Sequence, residues 1–399
     1  MKDIRHVYLD NNATTALAPE VLEAMLPFLK DNYGNPSSTY SFGSRVRASL
    51  EKSRSCIASS INALPEEIIF TSCGTEGDNT AIFSALKAYP DRRHIITTAV
   101  EHPAVLNVCR LMEGQGYEVT YLKVDSQGRL DMDVLAAALS DDTAIVSVMY
   151  ANNETGVIFP IEEIGRMIEG RNVSGGKILF HTDAVQALGK VPVDVERFNL
   201  DMLSLSGHKL HAPKGIGALY VRKGTPFYPL LIGGHQENGR RSGTENTASI
   251  AGLAMACELA AKGLKEEAAY LGKLRDELET AILSTCPRSI VNGRDVQRLP
   301  NTSSVSFEHI DGEAILMFLD SNGIYAASGS ACSSGSGAPS HVLEAMSVPA
   351  SAIHGSVRFS LSRYNDRSDI ERLIDVLPGV IKKLREISPL STGPFSCAH

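Results

Sequence analysis

Two residues stand out by where they sit relative to apolar runs. Lys209 follows the run Asp201 to Ser206 and lies in Ser204-Leu205-Ser206-Gly207-His208-Lys209-Leu210-His211, a stretch rich in hydroxyl, imidazole and glycine. Such residues pack poorly but can hold a reactive amine beside an anion, and an amine that loses its proton there can form a Schiff base with an aldehyde. Taken by itself the stretch reads as a solvated loop lysine. The second residue is Asp183, which ends the apolar run Ile178-Leu179-Phe180-His181-Thr182 and is followed by Gln186. Strand, carboxylate, strand, lysine is the order expected of a pyridoxal-phosphate site, where the acid keeps the pyridine nitrogen protonated and the lysine holds the aldehyde.

Three further strand ends carry polar groups that could serve such a site. Glu67 to Thr71 runs into Cys73-Gly74-Thr75-Glu76-Gly77, which opens a helix to about Ala88. A helix start after a small-residue turn leaves backbone amides facing an anion, so Gly74 and Thr75 are candidates for holding phosphate, or Thr75 is a plain N-cap. His102 follows the strand His94 to Thr98, at the carboxyl end where open α/β sheets place their ligands. Asn153 follows Thr143 to Met149 in the same way. Glycine-rich Gly233 to Asn246, containing Thr244, reads either as a loop that reaches a phosphate, in a neighbouring subunit, or as exposed surface. Cys332 lies in Ser328-Gly329-Ser330-Ala331-Cys332-Ser333-Ser334-Gly335, a low-complexity segment that mounts a thiol on a polar loop where an unused cysteine is usually buried.

These groups need a scaffold, and strands alternating with helices from Val7 to Val221 predict a mostly parallel sheet covered on both faces. From about Glu258 the texture changes to a long helix reaching Ile282, then Ser303–Phe307, a helix from Gly312 to Leu319, Val357–Leu361, and a closing helix from Ser368 to about Arg385. The expected division is a large domain over residues 15–257, and a smaller α+β domain made of 1–14 and 258–399 that carries the cysteine loop at about 326–340.

Composition narrows the function classes. The chain has 399 residues, 43% hydrophobic and 21% charged, which suits a globular protein with a large core. A formal charge of -8 and no tryptophan argue against a nucleic-acid surface. The charged N-terminus lacks a signal peptide's apolar core and no run is long enough to span a bilayer, so a cytoplasmic protein is expected. Seven cysteines without paired metal-ligand spacing suggest reduced thiols and no metal site.

Taken together these stretches resemble the cysteine desulfurases, pyridoxal-phosphate enzymes of the class V aminotransferase superfamily, and most closely the NifS type. The resemblance runs from Tyr8-Leu9-Asp10-Asn11-Asn12-Ala13-Thr14-Thr15 to Ser388-Pro389, and rests most on Ser206-Gly207-His208-Lys209 and Ser328-Gly329-Ser330-Ala331-Cys332. It implies fold type I and a homodimer. It also implies that Lys209 carries the cofactor, Asp183 pairs with the pyridine nitrogen, Gln186 bonds the phenolic oxygen and His102 stacks on the ring. Thr75, Ser206 and His208 would hold the phosphate with Thr244 from the second subunit, and Arg358 and Asn153 would bind the substrate carboxylate.

The implied chemistry is removal of sulfur from L-cysteine, leaving L-alanine and a persulfide on Cys332, with an iron-sulfur scaffold as acceptor and nitrogenase clusters as one destination. A free thiol has a pKa near ~8.5, so thiolate must be generated in the site, and His102 is the candidate proton carrier. Tyr40, Gly77 and Gly337-Ala338 depart from the family's usual histidine, serine, and leucine-acid pair. A selenocysteine lyase, a class V transaminase or a non-catalytic assembly protein on the same fold are the competing readings.

Overall fold

The computed structural model describes residues 5–175, 177–328 and 339–388. In chain order the strands are β1 (Val7–Tyr8), β2 (Ile68–Thr71), β3 (His94–Thr98), β4 (Glu118–Leu122), β5 (Thr143–Ser147), β6 (Leu179–Asp183), β7 (Met202–Ser206), β8 (Gly217–Val221), β9 (Ser289–Val291), β10 (Thr302–Phe307), β11 (Ile324–Tyr325) and β12 (Ser356–Ser360). The helices are α1 (Pro19–Lys30), α2 (Ser41–Ser60), α3 (Gly74–Ala88), α4 (Pro103–Glu113), α5 (Met132–Ala138), α6 (Ile161–Gly175), α7 (Thr247–Thr285), α8 (Gly312–Asp320), α9 (His341–Ala345), α10 (Ala350–Ile353) and α11 (Arg367–Ile387).

Among the described residues the main sheet has seven strands in the order β2-β8-β7-β6-β5-β3-β4. Only β8 runs against the others, pairing antiparallel with β2 and β7. The central strands are buried along their whole length, as the covered strands of a parallel sheet must be. Their two faces separate cleanly because side chains alternate with period two. Ile96, Val146, Phe180 and Leu203 join one apolar cluster, while their neighbours Ile95, Ile145, Leu179 and Met202 join another on the opposite face.

A third cluster belongs to a smaller unit built on β9, β10 and β12 with α8 and α11, and it takes in Val7 and Leu9 from the N-terminal segment. The long helix begins at Thr247, earlier than the change of texture at Glu258 suggests. Its opening turns bury Ala248, Ile250, Leu253, Ala254, Ala256 and Cys257, so they lack the polar face that makes a helix conspicuous in sequence. At 39 residues it spans both units, with Ala260 still in the large core and Leu271 already in the small one. Val342, Leu343, Met346 and Ile353, although late in the chain, pack into the large core. Among the described residues no helix is long and apolar enough to cross a membrane.

Candidate active site

Lys209 sits in a single 3-10 turn, Gly207–Lys209, that leaves the carboxyl end of β7. This turn is stitched to the N-terminal strap. Thr15 donates from N and Oγ1 to the His208 carbonyl at 2.9 and 3.0 Å, His211 N donates to Thr15 Oγ1 at 2.8 Å, and Ala18 N to the His211 carbonyl at 3.1 Å. The strap in turn is fixed to the small unit, where Asn11 Nδ2 donates to the Ser360 carbonyl at 2.9 Å and Asn12 N to Ser360 Oγ at 2.9 Å. With both ends of the strap held, its carbonyls face the lysine. Lys209 Nζ donates to the Asn12 carbonyl at 2.5 Å and the Ala13 carbonyl at 2.8 Å.

Asp183, the last residue of β6, is 7% exposed, and the bond its carboxylate accepts from Val185 N is 2.8 Å. Burial raises its pKa, against the opposing pull of the His102 ring, the Val185 N–H and Lys209. An added cation donor such as a pyridinium N–H would relieve that burial cost, which is the chemistry such a cofactor brings. His102 caps α4: its Nδ1 accepts from Ala104 N at 3.1 Å, so the proton of the neutral ring resides on Nε2. Burial lowers its pKa, partly offset by Asp183. Gln186 lies in the turn after β6, and its Nε2 donates to the same Asn12 carbonyl that Lys209 uses, at 3.0 Å.

On the other side of this turn, α3 begins at Gly74 with no side-chain cap, leaving first-turn amides for another acceptor. Gly74 is required there: a Cβ would lie 2.6 Å from Val185 Cγ2 and 3.5 Å from Ser206 Cβ. Gly77, where the family's usual serine is absent, has the same constraint, with Ser204 Oγ 2.8 Å from an added Cβ. Ser206 Oγ is buried without a hydrogen-bond partner among the described residues. A buried orphan hydroxyl beside uncapped helix amides fits a phosphate group. Thr75, in the first turn of α3, is exposed, and His208 Nδ1 lies 3.2 Å from Thr14 Oγ1. Burial, then the charge of Lys209, lowers the His208 pKa to about 4, so the ring is neutral. Thr244 lines a pocket of about 250 Å³ with Thr71, Ser72, Gly215 and Ile216. Its loop is held to the large unit by Arg54, which bonds Glu237 at 2.7 and 2.8 Å, and by Arg241, whose Nε bonds Glu76 at 2.9 Å.

Arg358 of β12 is 3% exposed and points its guanidinium between the two units. Its Nη2 bonds Asp10 at 2.7 Å and its Nη1 the carbonyl of Asn153 at 3.1 Å, while its Nε has no partner among the described residues. Asp10 thus shares the fork that the sequence reading assigns to a substrate carboxylate. Cys332 lies outside the described residues, but the chain on either side of it is fixed near these groups. Ala327 exchanges backbone bonds with Arg358 at 2.7 and 3.3 Å. Ser340 Oγ donates to Glu154, next to Asn153, at 2.5 Å, and His341 Nε2 is 2.9 Å from the carbonyl of Glu101, next to His102.

Lys209 and His102 therefore lie within electrostatic reach of Asp183, Gln186 shares the Asn12 carbonyl with Lys209, Gly74 packs beside Ser206, and Arg358 bonds the Asn153 carbonyl. Sequence reading missed Asp10 and the Asn12 and Ala13 carbonyls. The polar cluster Asp10–Thr15 was the available signal, but a backbone acceptor leaves no trace in residue type. Beneath Asp183 lies a further buried group: Asp78 and Glu101 are 1% and 0% exposed, and His181 contacts Ser147 Oγ at 2.9 Å and Ser204 Oγ at 3.0 Å.

The family model described as Aminotransferase class-V matches residues 7–373, and the chain belongs to that family of pyridoxal-phosphate enzymes. Within it the chain groups with the cysteine desulfurases. It is 55% identical to a cysteine desulfurase of Nostoc sp. over 96% of this chain and 94% of that protein. It is 54% identical to cysteine desulfurase NifS of Azotobacter vinelandii over 97% and 95%. A solved NifS-like protein superposes with a TM-score of 0.89 at 37% identity, covering 95% of this chain and all of that one. A NifS-like protein from Rickettsia africae gives 0.84 at 32%, again covering 95% of this chain and 100% of the other.

Proposed function

We propose that this protein is a cysteine desulfurase: L-cysteine and the Cys332 thiol become L-alanine and a Cys332 persulfide, one sulfur atom moving from substrate to enzyme. Pyridoxal phosphate, when bound, supplies an electron sink that labilises the bonds at the amino acid's Cα and the Cβ–S bond beyond it. The protein's own groups do the rest. Asp183 holds the pyridine nitrogen protonated, and Gly74, Thr75, Ser206 and His208 receive the phosphate, with Thr244 contributed by a second copy. Arg358, with Asn153, receives the substrate carboxylate through a guanidinium whose fork matches it. Lys209, whose amine the carbonyls of Asn12 and Ala13 hold, would anchor the cofactor and afterwards serve as the base for the Cα proton. His102 presents its Nε2–H to the site, so it would carry the thiol proton only after giving that first proton up, Nδ1 being occupied by the Ala104 N–H.

The single observation that carries this reading is the tethering of residues 327 and 340–341 to Arg358, Glu154 and Glu101, which are, or directly adjoin, the site residues Arg358, Asn153 and His102. Residue 332 is then five residues along the chain from the anchored Ala327 and eight from Ser340. The sulfur goes on to iron-sulfur cluster assembly through a scaffold protein, and the likeness to NifS of Azotobacter vinelandii supports nitrogenase clusters as a destination. Exposed Tyr228, Leu230, Leu231 and Ile232, beside the Thr244 loop, support a homodimer.

Cys332→Ser tests the assignment. With L-cysteine the variant should still change the visible absorbance of the bound cofactor, but alanine formation should fall by at least ~10²-fold. Mass spectrometry of the wild type should find one added sulfur, on Cys332. Undiminished alanine production, or sulfur on another cysteine, would overturn it.

A further inference from the structure

Four residues after Gln186, in the same turn, lies a second lysine that the reaction does not use. Lys190 Nζ donates to Gln186 Oε1 at 3.0 Å and to the Gln186 carbonyl at 3.1 Å. It lines a small cavity of about 20 Å³ together with Lys209, Glu267 and Arg363, the last two joined at 2.9 Å. Lys190 bonds the Gln186 amide directly, and Lys209 meets the same amide's partner, the Asn12 carbonyl.

A glutamine side chain can present either its oxygen or its nitrogen, which differ little in shape. A charged lysine only donates, so in that form Lys190 selects Oε1 and leaves Nε2 facing the other way, where it meets the Asn12 carbonyl. We propose that Lys190 is a positioning residue that fixes the Gln186 amide with its N–H toward the cofactor's phenolic oxygen, an inference that rests on the cofactor reading above. With Lys190 removed, only the Asn12 carbonyl still selects this orientation, and Gln186 more readily turns its oxygen to that acceptor and repels it.

Charge supports the same role. Burial, then the nearby Lys209, pulls the Lys190 pKa down to about 7, against Glu267 and with a smaller push from Arg358. Its charge also bears on the neutral rings of His208 and His211 across the same turn. An anionic phenolic oxygen near Gln186 would favour the charged form of Lys190, and that charge would favour the anion in return.

The test compares wild type, Lys190→Met, Gln186→Leu and the double variant, each titrated with pyridoxal phosphate. Readouts are the dissociation constant by equilibrium dialysis, the pH midpoint of the visible band, and the melting temperature of the cofactor-free protein. Loss of a bond between Lys190 and Gln186 should weaken cofactor binding roughly 10-fold and shift the band's pH midpoint. In the Gln186→Leu background the same change should add less than about 2-fold. Equal dissociation constants and midpoints for wild type and Lys190→Met, or equal effects of that change with and without Gln186, would overturn the proposal. So would a lowered melting temperature with binding and spectrum unmoved, which marks a merely structural lysine. If Lys190→Met does not fold, Lys190→Gln, whose amide selects no orientation, is read by the same criteria. Wild-type protein that gives no visible band would instead refute the cofactor reading.

Discussion

Replacing Ser206 by alanine should move the stability of cofactor-free and cofactor-loaded protein in opposite directions. The Ser206 hydroxyl is buried at the end of β7 with no partner among the described residues, and the first turn of α3 beside it has no side-chain cap. Leaving such a group unsatisfied costs about 1–3 kcal/mol, and removing one oxygen opens little space. The cofactor-free variant should therefore be more stable by about 1 kcal/mol. For a chain this long that raises the melting temperature by roughly 1–2 °C, extrapolating from the smaller shifts expected as domains grow. A phosphate oxygen would turn the same hydroxyl into a charge-assisted donor contributing about 1.5–3 kcal/mol, so the variant should bind pyridoxal phosphate about 10- to 100-fold more weakly. Because ligand stabilises by RT ln(1 + [L]/Kd), the loaded variant should melt below the loaded wild type. Calorimetry with and without cofactor, and equilibrium dialysis, measure both signs. A cofactor-free variant that melts lower together with unchanged affinity would show that Ser206 is an ordinary packed serine and that the phosphate lies elsewhere.

Two further perturbations probe the surroundings. Burial raises the Glu101 pKa to about 8, although its Oε1 accepts from Thr98 Oγ1 at 2.8 Å and Met149 N at 2.9 Å. The unfolded chain releases this proton near pH 4.5 and the folded one near 8, so stability is greatest below the first value and falls as pH rises through the second, by at most roughly 5 kcal/mol. In Glu101→Gln that decline between pH 5 and 8 should flatten in chemical denaturation; parallel curves for variant and wild type would contradict a protonated Glu101. Glu237→Ala should cost up to about 3–5 kcal/mol, because it leaves the buried Arg54 guanidinium with only the exposed Glu51 and the Ile68 carbonyl and removes the acceptor of the Phe70 N–H, which donates to the same carboxylate at 3.0 Å. It should also speed hydrogen exchange across residues 236–246, including Thr244, and a loss under 1 kcal/mol would mean that the loop is held by other contacts.

What the sequence disclosed follows from which interactions are local. The strands of the main sheet were readable because burial on both faces demands unbroken apolar and β-branched runs, as in His94–Thr98 and Thr143–Ser147. Lys209, Asp183 and His102 were readable because each follows such a run, so their position at the carboxyl edge came with the strand. The first turns of α7 hid for the converse reason, since a helix segment buried all round has no period to detect. The partners of these side chains hid more deeply. Asp10 is 348 residues from Arg358, and Asn12 and Ala13 are nearly 200 from Lys209. The Asn12 and Ala13 contacts moreover use peptide carbonyls, which every residue owns. A site whose amine is aimed by carbonyls of a distant strap depends on the strap's path rather than on its side chains. Substitutions at Ala13 that keep the backbone should therefore be tolerated by Lys209, whereas loss of Thr15 or Asn11, whose side chains hold the strap to the His208 carbonyl and to Ser360, should not.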